Sequence, residues 1–252
     1  MADLFLLSQA QMRRIERYFP LSHGVARVDD RRIVSAIVFV IKNGLRWRDA
    51  PGDYGPHKTI YNRFVRWSRL GVFNKIFAEL ARKGGKPERI MIDATHLKAH
   101  RTAASLLKKG LFPRRIGRTK GGLNSKLHAV CDGRGRPLVM LLSEGQMSDY
   151  KGAALMLPAL PNKARELLAD KGYDADWLRA ALARRGIAAC IPSKSNRKVA
   201  IPYDAVLYKQ RHRIENTFGR LKDWRRIHTR YDRCAHTYFS AICIAAAVIF
   251  WL

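Results

Sequence analysis

Three carboxylates in this chain stand where they could do chemistry. Asp93 closes the apolar run "IMID", Asp170 closes "ELLAD", and Glu215 lies in the basic stretch "YKQRHRIENTFGRLKDW". The two aspartates are expected at strand ends, and open α/β sheets present the C-terminal ends of their parallel strands to one edge, where sites form. Two aspartates and a glutamate brought to one point repel unless a cation neutralises them. Mg²⁺ suits them, because it takes oxygen ligands in an octahedral shell completed by water and phosphate oxygens. Two such ions about 4 Å apart stabilise the attacking and leaving oxygens of an in-line phosphoryl displacement. Taken singly, each carboxylate is better explained as an ion pair or a helix cap, and it is the combination that points to chemistry. Asp149, Asp174 and Asp176 read as caps, with Asp174 the nearest rival to Asp170.

The stretch around Glu215 is expected to be one long helix. At about 100° per residue from Tyr208, Arg211 falls near 300°, Glu215 near 340° and Lys222 near 320°, so the four share one stripe. Ile214, Phe218 and Leu221 form a packing face beside it, which puts Glu215 at the margin of the buried side.

The elements that must position these residues follow from the hydrophobic pattern. Residues 1–86 read as helices, with apolar periodicity through Met12, Ile15 and Phe19, then Ile33, Ile37, Val38 and Ile41, then Ile60, Phe64 and Trp67. Ser8 and the Asp29-Asp30 pair are expected N-caps, and Gly44 and Gly71 end helices. Trp47 and Trp67 are expected in the core. The segment "GPHKTIYNRFVRWSRLG" sets Lys58, Arg63, Arg66 and Arg69 beside an apolar stripe, as a helix entering a DNA groove would, or as an ordinary helix with a solvated basic face. "RKGGKPERI" breaks the pattern, and residues 87–252 begin with strands. "LNSKLHAVCDGRGRPLVMLL" reads as a hairpin turned at Asp132-Gly133. Strands then alternate with helices, through "ARELLAD", "DADWLRAALARRG" and "IAACIP". This pattern predicts an α/β fold with a mixed sheet covered by helices, after a small helix-turn-helix-like all-α domain.

Charge narrows the partner. Lys and Arg total 48 against 20 Asp and Glu, a formal net charge of +28. Such an excess points to a polyanion, nucleic acid first. The nine cations between Asp93 and Asp132 have no acidic residue among them. They are Lys98, Arg101, Lys108, Lys109, Arg114, Arg115, Arg118, Lys120 and Lys126, and a basic loop over about 98–122 is expected to track phosphates. "GRTKGG" within it lacks the spacing of a phosphate-binding loop.

A membrane reading is weak. The apolar run Ala241 to Leu252 is about half the ~20 residues of a spanning helix, and reads as a buried terminal helix. The opening residues lack the order of a secretory signal, so the protein is expected in the cytoplasm. The four cysteines, at 131, 190, 234 and 243, show no metal or disulfide spacing and are expected as buried thiols. His96 and His100 do not face together on an extended segment, so they make a poor zinc pair.

Tyr208, two residues, Arg211, three residues, Glu215, six residues, Lys222 resembles the Y-(2)-R-(3)-E-(6)-K signature of bacterial insertion-sequence transposases of the DDE class, in insertion-sequence family five. "IDATHLKAHR" and "LLADKGYDAD" resemble that group's two aspartate motifs, and "TKGGLNSKLHAVCDGRGRPL" its hairpin. The likeness spans almost the whole chain. It implies a ribonuclease-H-like mixed five-stranded sheet with flanking helices and a helical DNA-binding domain. It further implies cleavage and strand transfer by Asp93, Asp170 and Glu215 with Mg²⁺, or Mn²⁺ in its place, and Tyr208, Arg211 and Lys222 holding DNA. The partners it implies are double-stranded DNA, as terminal inverted repeats and target, and a second copy of the chain. A nucleoid-associated bacterial protein is then expected. A DNA-binding regulator without catalysis and a ribonuclease-H-like nuclease without joining are the alternatives.

Overall fold

The computed structural model describes residues 4–21, 28–85, 87–105 and 114–252. In chain order the helices and strands are α1 (Gln9–Ile15), α2 (Asp30–Asn43), α3 (His57–Arg69), α4 (Val72–Lys83), β1 (Arg89–Ala99), α5 (Arg101–Ala104), β2 (Gly117–Thr119), β3 (Gly122–Asp132) and β4 (Pro137–Glu144). After them come α6 (Asp149–Met156), β5 (Glu166–Leu168), α7 (Asp176–Ala183), β6 (Ala188–Cys190), α8 (Ala205–Tyr208), α9 (His212–Lys222), α10 (Arg225–His228), β7 (Thr229–Arg230) and α11 (Ala235–Phe250). The chain forms two compact units, one of residues 1–80, 99–114 and 221–252, the other of 81–98 and 115–220. The C-terminal helix therefore groups with the N-terminal helices, where the sequence put it with the sheet.

In the helical unit the expected caps are in place. Ser8 accepts from Gln11 N at 3.1 Å while the Gln11 side chain returns to Ser8 N at 2.8 Å. Asp29 accepts from the amides of Arg31 and Arg32 at the start of α2. These bonds satisfy amides that have no partner within the helix. The predicted stripe of α2 is buried, and so are Val34, Ala36 and Val40 off it. The reason is that α3, α10 and α11 all pack on α2, and a helix surrounded by others needs apolar residues all round. The run expected as a buried terminal helix is that, with Ala241 to Ala247 at most 1% exposed. Among the described residues no helix is long and apolar enough to cross a membrane.

The other unit is a mixed sheet. β3 lies antiparallel to β1 on one side and to β4 and β2 on the other. β1, β5 and β6 run parallel. The unit thus carries β1 to β6, one strand more than the five expected, because the short β2 folds back on the start of β3. Ile90 and Ile92 of β1 and Val130 of β3 face a core with Ala153 and Met156 of α6 and Leu178 and Leu182 of α7. α6 lies tightly on β3. A Cβ added to Gly152 would come within 2.2 Å of His128 Nδ1, so only glycine permits that approach.

On the helical stretch the sequence was too simple. α8 stops at Tyr208, a 3₁₀ turn covers Lys209–Arg211, and α9 begins at His212. α9 is seated on the β3–β4 turn, where Arg213 donates to the Gly133 carbonyl and Thr217 to the Gly135 carbonyl. Gly135 has φ +83°, and a Cβ there would stand 2.9 Å from the Arg213 carbonyl oxygen. Both its backbone and its neighbour demand glycine. The turn itself is tied by Asp132, which accepts from the amides of Arg134 and Arg136 at 2.9 Å.

Candidate active site

Register brings the aspartates together. β1 and β5 are parallel with Met91 opposite Leu168, and Asp93 and Asp170 each lie two residues beyond that last pair. Neither ends a strand as expected. β1 continues past Asp93 to Ala99, held there by antiparallel β3. β5 stops at Leu168, and Asp170 instead caps a 3₁₀ turn, accepting from Gly172 N at 2.9 Å.

Arg211 links the first aspartate to the glutamate. Its Nη1 donates to Asp93 Oδ2 at 2.8 Å, and its Nη2 donates to Glu215 Oε1. The guanidinium lies 5.9 Å from the Tyr208 ring centroid, and Tyr203 packs edge-on against Tyr208. Glu215 is more open than its helical angle predicted, its side chain 53% exposed against 16% for Asp93. Lys222 follows two turns further along α9, its pKa lowered by burial.

Burial is the largest influence on Asp93 and raises its carboxyl pKa to about 6, with the negative charge of Asp170 adding to it, although the Ala94 amide and Arg211 pull the other way. A carboxylate in a low-dielectric setting prefers to be neutral. The Tyr173 hydroxyl is buried, has no hydrogen-bond partner among the described residues, and is raised first by burial and then by Asp149, Asp93 and Asp170. Tyr173 thus belongs to the apolar core, with its hydroxyl close enough to the three aspartates to feel their charge.

Two residues of this cluster escaped the sequence. Asp149 was expected as a cap, but Ser148 holds the cap position of α6. The Asp149 carboxylate instead pairs with Lys126 Nζ at 2.6 Å. Lys126, expected in a DNA-tracking loop, is buried on β3 with its side chain 9% exposed. A Cβ on Gly172 would lie 2.9 Å from Asp170 Oδ1 and 3.6 Å from Asp149 Oδ2, so these carboxylates flank the space a side chain would fill. No local pattern reveals this, because the partner of each residue comes from another strand or turn. Asp174, the rival to Asp170, is enclosed by partners of its own. Arg179 and Arg197 bind it at 2.8 and 2.9 Å and its side chain is 1% exposed. Burial opposes its ionisation, but hydrogen bonds from Arg197, Lys194 N and Arg179 hold it well below the usual carboxylate range.

The donor set fits a divalent metal in kind. Asp93, Asp170 and Glu215 offer oxygen only, the chemistry Mg²⁺ and Mn²⁺ select. Among the described residues no three His, Cys, Asp or Glu side chains are yet drawn into a metal shell. The cation between Asp93 and Glu215 is the Arg211 guanidinium.

The expected DNA contacts separate. Lys58, Arg66, Arg118 and Lys120 are exposed. Arg63 is withdrawn, its guanidinium bound to Asp30 at 2.6 Å and to the Val28 carbonyl at 2.8 Å, since its position on α3 faces α2 instead of solvent. Arg114 donates to the Ala104 carbonyl and Arg115 pairs with Glu144. The region expected as a loop is largely ordered, as the end of β1, α5 and β2, while Lys108 and Lys109 lie outside the described residues. His96 bonds the Gly145 carbonyl at 2.9 Å and His100 caps α5, so they form no zinc pair. All four cysteines are free thiols, with Cys234 only half-buried.

Comparison with known proteins gives the family. Residues 84–250 match a family model described as the transposase DDE domain, and residues 7–77 match one described as a putative transposase of the IS4/5 family. The chain is 35% identical over 131 residues to a putative transposase for insertion sequence element IS6501 of Brucella ovis, a match covering 52% of this chain and 99% of that protein. It is 29% identical over 156 residues to a putative transposase for insertion sequence element IS402 of Burkholderia cepacia, covering 55% of this chain and 72% of the relative. Its fold is similar to that of the piggyBac transposase in a synaptic complex with hairpin DNA, solved by cryo-electron microscopy. The TM-score is 0.52 at 9% identity, over 94% of this chain and 69% of that one. Of the two units, the sheet is the ribonuclease-H-like one, and the chain belongs to the DDE transposases of insertion sequences, enzymes that cut and join DNA.

Proposed function

We propose that the protein binds the terminal inverted repeats of a mobile element and performs the cleavage and strand transfer through Asp93, Asp170 and Glu215, which hold Mg²⁺, with Mn²⁺ able to replace it. One observation carries the reading. A single guanidinium, Arg211, neutralises Asp93 and Glu215 together, although Asp93 lies 118 residues away in the chain. In a protein of net charge +28, carboxylates are scarce, and gathering them round one half-buried cation prepares a place for another.

The metal supplies charge stabilisation to the attacking and leaving oxygens of the phosphoryl displacement. Asp93 sits within β1, paired there with Ala129 of β3, and would be the rigid ligand. Asp170 is oriented by the Gly172 amide. Glu215, the most open of the three, would turn from Arg211 to complete the set. Arg211 is thereby released to a DNA phosphate, for which its planar fork is suited, and Tyr208 and Lys222 hold the strand beside it. Lys58, Arg66, Arg118 and Lys120 add phosphate contacts. Two element ends call for at least two protomers on the DNA.

The test is Mg²⁺-dependent cleavage and joining of a labelled terminal-repeat duplex by the purified protein. Wild type joins the end to target DNA in Mg²⁺ and not in EDTA. Binding without any cutting would make it a regulator, and cutting without joining would make it a nuclease.

A further inference from the structure

The helical unit contains a cleft of about 730 Å³, walled by α3, by residues 46–48 and by residues 231–237. That volume lies within the ~300–1,000 Å³ of pockets that hold small molecules. Its lining combines open rings with cations. Tyr61 and Tyr231 are 45% and 44% exposed. Trp47 lies 5.7 Å from Tyr61 and is itself fixed, stacked on Phe64 at 4.7 Å and facing the Arg226 guanidinium at 5.4 Å. His100 packs on Tyr231 at 4.8 Å. Large rings of this kind bury apolar area on association, and here two of them stand open inside a concavity.

The charge of the cleft is positive. Lys58, Arg69 and Arg233 line it and are exposed, with no carboxylate partner among the described residues. Asp232, the acidic residue of the lining, is already bound on both oxygens by Arg226 at 3.2 Å. Arg226 in turn donates to the Leu45 carbonyl at 2.9 Å, which ties residues 45–47 to the opposite wall. The cleft is thus a preformed basic pocket with an aromatic lining.

A stacked duplex presents phosphates and groove edges and keeps its base faces covered, so it can satisfy the cations but not the rings. A nucleotide out of the stack offers both a base face and flanking phosphates, and base-on-aromatic stacking in a positive groove is how single strands are held without sequence preference. We infer that this cleft binds an unstacked nucleotide of a DNA strand, its base on Tyr61 and Tyr231 and its phosphates on Lys58, Arg69 and Arg233. The inference rests on DNA being the substrate, and adds a site for single-stranded DNA whose lining includes none of Asp93, Asp170 and Glu215.

Anisotropy titrations of the full-length protein with a short oligothymidylate and with a random-sequence duplex test it. The double variant Tyr61→Ala, Tyr231→Ala is expected to weaken oligothymidylate binding by roughly 5- to 150-fold for each base that stacks, with duplex affinity unchanged. Tyr61→Phe with Tyr231→Phe keeps the rings and is expected to keep the affinity. Lys58→Ala with Arg69→Ala should lower the slope of log K against log salt for the single strand by roughly 0.7 for each phosphate no longer neutralised, whereas the tyrosine variants leave that slope alone. Where the alanine pair lowers the yield of folded protein, Tyr61→Leu with Tyr231→Leu removes the ring faces and preserves bulk. Equal losses on single strand and duplex, or no loss on the single strand, would overturn the inference. If duplex binding and strand transfer persist in that case, only the cleft assignment fails. A protein that binds neither form of DNA would remove the proposed function as well.

Discussion

Asp93→Asn should stabilise the metal-free protein at neutral pH while abolishing its proposed reaction. Burial raises the carboxyl from its ordinary 3.8 to about 6, and its side chain is only 16% exposed, so solvent screening removes little of the effect. A rise of that size corresponds to about 3 kcal/mol, at about 1.4 kcal/mol for each tenfold change in the equilibrium. The sign follows from the linkage. The unfolded chain ionises Asp93 at lower pH than the folded one, so its favourable contribution is complete below about pH 4 and is lost as pH rises through about 6. Asparagine never ionises. Urea unfolding in EDTA, followed by tryptophan fluorescence from pH 4 to pH 8, should therefore show the variant close to wild type in acid and about 3 kcal/mol more stable above pH 7. The difference between the two proteins cancels the titration of other groups. Mg²⁺ should narrow it, because a cation beside Asp93 favours the carboxylate. A wild type and a variant whose stabilities stay parallel across this range would refute the reasoning, since Asp93 would then be ionising as an ordinary surface acid.

Gly135→Ala forces a side chain into a left-handed backbone and against the Arg213 carbonyl, and should cost about 2 kcal/mol or more. Because α9 is seated there, strand transfer should fall more than stability alone explains, as read by activity at a temperature where the variant is fully folded. Arg63→Ala removes the ion pair to Asp30 and the bond to the Val28 carbonyl, and should lower stability by about 1–3 kcal/mol and leave DNA affinity intact once folded. Arg66→Ala should do the reverse, with a stability change within ~0.5 kcal/mol and weaker DNA binding in filter or anisotropy assays. Replacing Arg118 and Lys120 with alanine should flatten the salt dependence of duplex binding by roughly 0.9 for each phosphate left without its cation; an unchanged slope would take both off the DNA surface.

What the sequence could reveal was local or periodic. The caps at Ser8 and Asp29, the hairpin at Asp132 and the buried stripe of α2 are each written within a few residues, where side chain and backbone meet directly. Asp93 and Asp170 could be singled out because apolar runs precede them, and Glu215 because it interrupts a basic stretch. Their meeting depends on the β1–β5 register, which no run of residues encodes alone. Lys126 and Arg63 looked like surface cations for the same reason. Each has its carboxylate partner, Asp149 or Asp30, more than twenty residues away, and burial reversed the meaning of the charge. The 3₁₀ turn before α9 interrupts a periodicity that an ideal helix would have continued, and Glu215 ended further from the buried face than 100° per residue implies. The return of residues 221–252 to the helical unit likewise depends on α2, which is needed to cover the apolar faces of α10 and α11.

The most direct measurement is the anomalous diffraction of Mn²⁺ in crystals of the protein bound to a terminal-repeat DNA end. The expected result is an anomalous peak within about 2.0–2.2 Å of carboxylate oxygens of Asp93 and Asp170, with Glu215 turned from Arg211 toward the metal and Arg211 on a DNA phosphate. A metal bound elsewhere, or Asp93 and Glu215 still joined through Arg211 while DNA and Mn²⁺ are present, would contradict it.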